Sequence, residues 1–372
     1  MRHRAGSLIR DRIRANAASK IDYYVFTDDN FSRNPGWEKI LDAILDLRRE
    51  EGISVEFMMQ VDALAHRIPR FAEKAAAAGC SQVFIGMETL NPANLAAAGK
   101  TKNHAEDHRS MIDAWHEHGI ACHVGYIIGF PFDTPESVRE DVRRLRDEIN
   151  VDQASFFMLM PLPGSKDHAD LVRRGAWIES DYNVFGSFHP TTHHPRMTAV
   201  EWFASFREAW RDFYTVDAMK AILARSNVRT DWGLFKNFAW YKYAALVEDT
   251  PPMLCGFIRL KSRWERRPGL PVEPLLRHLR MRFVERVRWA RRVAALYFEL
   301  QEVWLATCAR ANVLAIRATT RSNLDAYWNR TWAAIRRGRV YRINSFTLLW
   351  NVFRDARLFV EFNLSLMAGY RK

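Results

Sequence analysis

Acids and amides recur at three places in the first half of this 372-residue sequence, each time after a run of strand-forming residues. Asp28, Asp29 and Asn30 follow the run Tyr23 to Thr27; Gln60 closes the run from Ile53, with Asp62 just beyond; Glu88 and Thr89 close the run from Gln82. Two further strand-like runs end differently, one at Gly129-Phe130-Pro131 and one at Met160-Pro161-Leu162-Pro163. In parallel α/β folds, ligands collect at the carboxyl ends of strands. The first three ends are polar, and the last two are apolar and irregular, as suits a flat aromatic ligand. Taken singly, each polar residue has a structural alternative. Asp28 or Asn30 could terminate a strand through an Asx turn. Glu88 could pair with Lys100 or Lys102, and Gln60 could satisfy a buried backbone group. Their recurrence on one rim points to a site.

The elements that must hold these residues follow from periodicity. The stretch Gly125 to Glu136 reads as a buried strand feeding a helix: Tyr126, Ile127 and Ile128 favour a strand, Gly129 and Pro131 stop it, and Thr134 caps a helix opened by Pro135. Gly125 and Gly129 remove side chains where a strand could approach a ligand closely. Strands are expected at 23–27, 53–60, 82–88, 121–128 and 154–160. Helices are expected at 6–19, 36–49, 68–78, 92–98, 104–118 and 135–149. Such alternation means a parallel (βα) sheet, here a partial, TIM-like barrel, followed by an α-helical carboxyl-terminal region. The expected domains are residues 1–195 and 196–372.

The series Phe26-Thr27-Asp28-Asp29-Asn30-Phe31, Ile85-Gly86-Met87-Glu88-Thr89, Gly125 to Pro131 and Pro161-Leu162-Pro163-Gly164-Ser165 resembles the radical S-adenosylmethionine (radical SAM) superfamily. It is closest in pattern to the group that often carries an amino-terminal cobalamin-binding domain, such as the anaerobic magnesium-protoporphyrin ester cyclases and some lipid-modifying enzymes. The resemblance covers about residues 5–190. It implies that Asp28 and Asp29, with Asn30, meet the SAM amino group, and that Glu88 contacts the ribose or amino acid part with Gln60 nearby. It also implies that Gly125, Gly129, Phe130, Pro131 and Met160 pack the adenine. Carboxylates suit an ammonium and hydroxyls, while glycines and apolar strand ends suit a purine face. A 4Fe–4S cluster and, in longer forms, cobalamin are further cofactors that the resemblance implies. The family's CxxxCxxC motif is absent here, so the expectation is an amino-terminally shortened member lacking its leading strand, cluster loop and any cobalamin domain.

Cys80, Cys122, Cys255 and Cys308 are far apart, form no CxxC and read as reduced thiols of a cytoplasmic protein. Charge divides the chain: residues 1–195 hold 23 Lys/Arg against 28 Asp/Glu, and residues 196–372 hold 32 against 15. His189, His193 and His194 fit no zinc spacing and suit a substrate-facing loop. The aromatic stripe of Trp202, Phe203, Phe206, Trp210 and Phe213 suits a core. Long helices are expected from Pro274 to Arg337. Seven arginines between 277 and 292, opposed by Glu285 alone, suit an anionic membrane surface and a membrane-peripheral protein, or a solvated face. With no recognised nucleic-acid module, nucleic acid is not the expected partner. The leading reading is a radical SAM-type enzyme, or its remnant, acting on an unspecified small molecule of lipid or tetrapyrrole type. The alternatives are a non-catalytic SAM-pocket protein docking through its basic helices and a metal-dependent barrel lyase built on Asp28, Asp29 and the histidine loop.

Overall fold

A computed structural model describes residues 5–19, 21–97, 107–256, 262–264, 269 and 271–319. The chain divides into two compact units, Met1–Thr307 and Cys308–Lys372. In chain order the first unit carries α1 (Gly6–Ala17), β1 (Tyr23–Phe26), α2 (Trp37–Glu51), β2 (Glu56–Val61), α3 (Phe71–Ala78), β3 (Cys80–Glu88), α4 (Pro92–Ala97), α5 (His108–His116), β4 (Ala121–Ile128), α6 (Pro135–Asp147), β5 (Gln153–Met158), α7 (Lys166–Arg173), α8 (Ala199–Phe213), α9 (Val216–Arg225) and α10 (Val228–Lys242). A π-helical turn, Tyr243–Glu248, follows. α11 (Leu275–Thr319) begins in this unit.

The five strands pair in parallel in the order β1-β2-β3-β4-β5. Strands ordered as in sequence wind one way, so the fold is an open partial (βα) barrel followed by helices. Alternate residues build the two faces of the sheet. Phe57, Met59, Val83, Ile85, Val124, Tyr126, Ala154 and Phe156 are buried against Leu41, Ile44, Phe71, Trp115, Val142 and the aromatic stripe of α8. Phe156 stacks edge-on against Trp210 and Phe213, and Trp202, Phe206, Trp210 and Phe213 are core as expected, while Phe203 is exposed. Tyr214 guards the edge of β5: its hydroxyl accepts from the Ala154 amide and donates to the Ala154 carbonyl.

Several expected boundaries move by a few residues, two of them at the start of β2 and the end of β5. The Ile53 amide still donates to the Leu47 carbonyl beyond left-handed Gly52, so the chain is closing α2 and β2 starts only at Glu56. β5 ends at Met158, which leaves Met160 on the following loop. The expected helix ending at Arg337 is described only to Thr319, and Lys100 and Lys102 lie outside the described residues.

The sheet and helix layers are tied by the Tyr126 hydroxyl, which donates to Asp141 of α6 at 2.6 Å. Burial raises Asp141 from its ordinary 3.8 to about 6, against the pull of this hydrogen bond. The folded state therefore holds the proton more tightly than the unfolded chain. The group's stability contribution is fully present below pH 3.8 and is lost as pH rises through about 6. Asp141→Asn keeps the acceptor and deletes the charge. It should gain about 1–3 kcal/mol at pH 8 and flatten the pH dependence of the urea midpoint, because one pKa unit is worth about 1.4 kcal/mol. Parallel midpoint-against-pH curves for the two proteins would rule this out.

Candidate functional site

The inner face of the sheet is closed at one end and open at the other. At the amino-terminal ends of the strands, α10 fills it. Asn237 Nδ2 donates to Gln153 Oε1 at 3.0 Å, and Gln82 Nε2 donates to the same oxygen at 2.8 Å. Buried His123 bonds Ser155 Oγ at 2.8 Å and packs edge-on against Phe84 and Tyr241. Burial lowers its pKa to about 3, so the ring is neutral. Further along, Met58, Gln60, Phe84, Glu88, Ile127 and Phe157 stay partly exposed. The result is a polar floor under an open, largely apolar wall.

The rim of this opening carries the residues singled out from sequence. Asp28 Oδ1 accepts from the Asn30 amide at 3.0 Å, an Asx turn at the end of β1. Asn30 Nδ2 then donates to Asp62 Oδ2 at 2.9 Å, and Ser32 Oγ donates to Asn30 Oδ1 at 2.6 Å. Arg33 Nε and the Leu64 amide also donate to Asp62, each at 3.0 Å. Burial pushes the Asp62 carboxyl up, but these donors outweigh it and hold its pKa below the usual range. Asp62 thus locks the β1 loop to the β2 loop, a role that sequence reasoning left unassigned. Asp29 is exposed beside it, and Gln60 lies at the end of β2 in register with Phe84.

Glu88 closes β3 in a left-handed conformation, φ 67°, where the register with β4 skips a residue. Its Oε1 lies 2.8 Å from the point a Cβ on Gly86 would occupy. Gly86 therefore lets this carboxylate fold back along the strand. A left-handed, non-glycine residue costs about 1–2 kcal/mol, and such strain gathers at working sites.

The turn after β4 differs from the expectation. Gly125 and Gly129 do free space, but protein side chains take it. A Cβ on Gly125 would sit 2.9 Å from Phe84, and one on Gly129 would sit 2.2 Å from Trp202. The organiser of this turn is Asp133, which is 1% exposed. Its Oδ2 accepts the Gly129 and Phe130 amides at 2.8 and 2.9 Å, and its Oδ1 accepts Asn94 Nδ2 at 2.6 Å. Asn94 Oδ1 accepts the Phe132 amide at 3.0 Å. Phe130 is half-buried, Pro131 is exposed and Met160 is half-buried. Thr134 and Ser137 form a capping box that starts α6.

The histidine loop braces this turn. His194 Nδ1 accepts the Arg196 and Met197 amides, so the ring proton is on Nε2, which donates to the Phe130 carbonyl at 2.9 Å. His189 stacks on Phe203, and His193 lies on Trp177. Each histidine has its own partner. Among the described residues, the group with metal-ligand proximity is His116, Cys122 and Asp152, at the opposite ends of the strands. There Asp152 Oδ2 bonds His116 Nε2 and the Cys122 amide, each at 2.7 Å, and the Arg225 guanidinium lies 4.0 Å from Oδ1. This tie between strand starts and α9 already holds a cation of its own.

Comparison with known proteins adds to this geometry. Residues 2–145 match the model of the radical SAM superfamily. Over this stretch the chain is similar to radical SAM domains. The bacteriochlorophyllide d C-12(1)-methyltransferase of Chlorobaculum tepidum is 26% identical over 265 residues, 68% of this chain and 53% of that protein. The C-8(2)-methyltransferase of the same organism is 23% identical over 235 residues, 62% of this chain and 50% of that protein. The chain spans about half the length of these curated relatives. Among solved structures, a radical S-adenosylmethionine methyltransferase from Kitasatospora setae with cobalamin and a 4Fe–4S cluster aligns at 22% identity and a TM-score of 0.42, covering 55% of this chain and 41% of that one. Among the described residues, no helix is long and apolar enough to cross a membrane.

Proposed function

We propose that the rim of the partial barrel binds S-adenosylmethionine in the service of radical SAM-type chemistry on a tetrapyrrole-like or similarly apolar substrate. The observation that carries this reading is the inner face itself, floored by α10 beside β3 and β5 and partly exposed toward the end where Asp28, Gln60 and Glu88 stand. Carboxylates at β1 and β3 suit the ammonium and ribose hydroxyls, and the half-exposed Ile127, Phe157 and Met160 suit the purine. Because Trp202 and Phe84 occupy the space beside Gly129 and Gly125, the adenine rests against the Phe130 backbone and the apolar wall in this reading. The tetrapyrrole class is favoured by the relatives named as bacteriochlorophyllide methyltransferases.

The described thiols do not fit a 4Fe–4S cluster. Cys80 and Cys122 are buried in the amino-terminal halves of β3 and β4, and burial pushes both pKa values up. Cys255 takes part in a contact of its own with the Pro252 carbonyl. Three convergent thiolates are what such a cluster requires. No step through a cluster is derived from these residues. The metal-lyase reading also loses support, since no histidine joins Asp28 and Asp29 among the metal-ligand groups of the described residues.

The test is titration calorimetry of the full chain with S-adenosylmethionine. The expected dissociation constant is on the order of 0.1–1 mM, equivalent to about 4–5 kcal/mol. Glu88→Gln should weaken it about tenfold or more, with the circular dichroism spectrum unchanged. Equal affinity for parent and variant would remove Glu88 from the site, and no binding by the parent would remove the proposal.

A further inference from the structure

α11 presents two apolar faces, and among the described residues only one of them is packed. On one side Trp289 Nε1 donates to the Tyr243 hydroxyl at 3.1 Å, Arg292 donates to the Val247 carbonyl and to Asp249, and Leu296, Leu300 and Val303 are buried. That side seats the helix on the π-helical turn and α10. A surface helix should turn polar residues outward. Here the outward stripe is Leu276, Leu279, Phe283, Val287, Ala290, Ala294 and Phe298, spaced by three and four residues. All are exposed; Leu276 is 82%, Phe283 69% and Phe298 67% accessible. The stripe runs about 33 Å at 1.5 Å per residue.

Arginines border it. Arg282 is paired with Glu285 at 2.7 Å and Arg292 with Asp249 at 3.0 Å. Arg277, Arg280, Arg286, Arg288 and Arg291 have no carboxylate partner among the described residues. On a helical wheel of 100° per residue, Arg286 falls on one flank of the stripe and Arg280 and Arg291 on the other.

We infer that α11 lies flat on an anionic bilayer, with Leu276, Leu279, Phe283 and Val287 in the acyl boundary and Arg280, Arg286 and Arg291 on lipid phosphates. An apolar stripe flanked by arginines, on a helix unable to span a bilayer, is the form of an interfacial helix. A nucleic acid would use the charge but leave the stripe in water. An acidic protein groove would call for a shorter run of anchors. Arginine stems also cover apolar surface while their heads reach the phosphates.

The test is flotation of the full chain with phosphatidylcholine vesicles, with and without phosphatidylglycerol. Binding should require the anionic lipid at about 0.1 M salt and be largely lost at about 0.5 M, as the Debye length falls from about 10 Å to about 4 Å. Two exposed-site variants separate the components: Leu279→Gln with Phe283→Gln, and Arg280→Gln with Arg286→Gln and Arg291→Gln. Each should cut the partition coefficient at least about tenfold with the dichroism spectrum intact. Arg292 is left alone because it holds Asp249. Three results would overturn the inference. They are no flotation by the parent, flotation unaffected by the stripe variant, or a dimer that Phe283→Gln dissociates without any vesicle binding.

Discussion

Gly129→Ala should destabilise the chain by about 3–5 kcal/mol, several times the usual cost of a surface glycine change. Two causes add. Gly129 has φ +117°, which an L side chain rarely adopts. The new Cβ would also lie 2.2, 2.4 and 2.6 Å from three atoms of the Trp202 ring. The ring cannot yield cheaply. It is 1% exposed, and its Nε1 donates to the Ile128 carbonyl at 2.9 Å, the last residue of β4. Overpacking of this kind typically costs about 1–3 kcal/mol, and left-handed backbone about 1–2 more. Gly164 separates the terms, since it has φ +86° but nothing within 4 Å of its notional Cβ. Gly164→Ala should therefore show the backbone cost alone, about 1 kcal/mol. Trp202→Ala will cost about 3–5 kcal/mol by itself, but combined with Gly129→Ala it should recover the clash as a favourable coupling of at least about 1 kcal/mol. Urea midpoints for the four variants decide the matter. Equal losses at Gly129 and Gly164 would mean that Trp202 does not define this turn.

That glycine also shows what could be read from the sequence. The alternation of strands and helices was legible because short runs of strand formers alternate with amphipathic helical stretches; β2 shows the two-residue burial period in Phe57, Met59 and Val61, whereas β4 and β5 are buried at nearly every residue. The need for glycine at 129 was legible too, but as a place where a ligand comes close. What comes close was not, because Trp202 is contributed by α8, more than seventy residues later in the chain. The same limit hid the role of Asp62, of which only the place was legible, and hid Asn94 altogether. Their value lies in partners at the ends of other strands, Asn30 for one and Asp133 for the other. The Asx turn at Asp28 is local, and the sequence carried it as an alternative from the start. The histidine loop looked like a ligand surface because its spacing is dense. Its rings instead diverge onto separate aromatic partners, which spacing alone does not encode.

Asp133→Ala should be of comparable severity, about 3–5 kcal/mol, for a different reason. The carboxylate takes three hydrogen bonds, from the buried Gly129 amide, the buried Asn94 side chain and the half-buried Phe130 amide. Removing it leaves the Gly129 and Phe130 amides and the Asn94 amide group unsatisfied, at about 1–3 kcal/mol each before relaxation. Loss of one partner from a buried charged cluster usually falls in this range. Burial raises the Asp133 pKa while the same three donors oppose it, so the site is a balance that a neutral side chain would shift. Asp133→Asn tests this. Its oxygen can keep both backbone amides, but its NH2 group then faces the NH2 of Asn94. Asn94 cannot turn over to help, because its Oδ1 already accepts the Phe132 amide. The expected order of stability is parent, then Asn, then Ala, with Asn losing about 1–2 kcal/mol. Because the turn shapes one side of the rim, both variants should also weaken S-adenosylmethionine binding, measured at a temperature where each remains folded. Urea midpoints in which the Ala variant matches the parent would show that the turn after β4 holds its shape without Asp133. The capping box of Thr134 and Ser137 would then be its principal support.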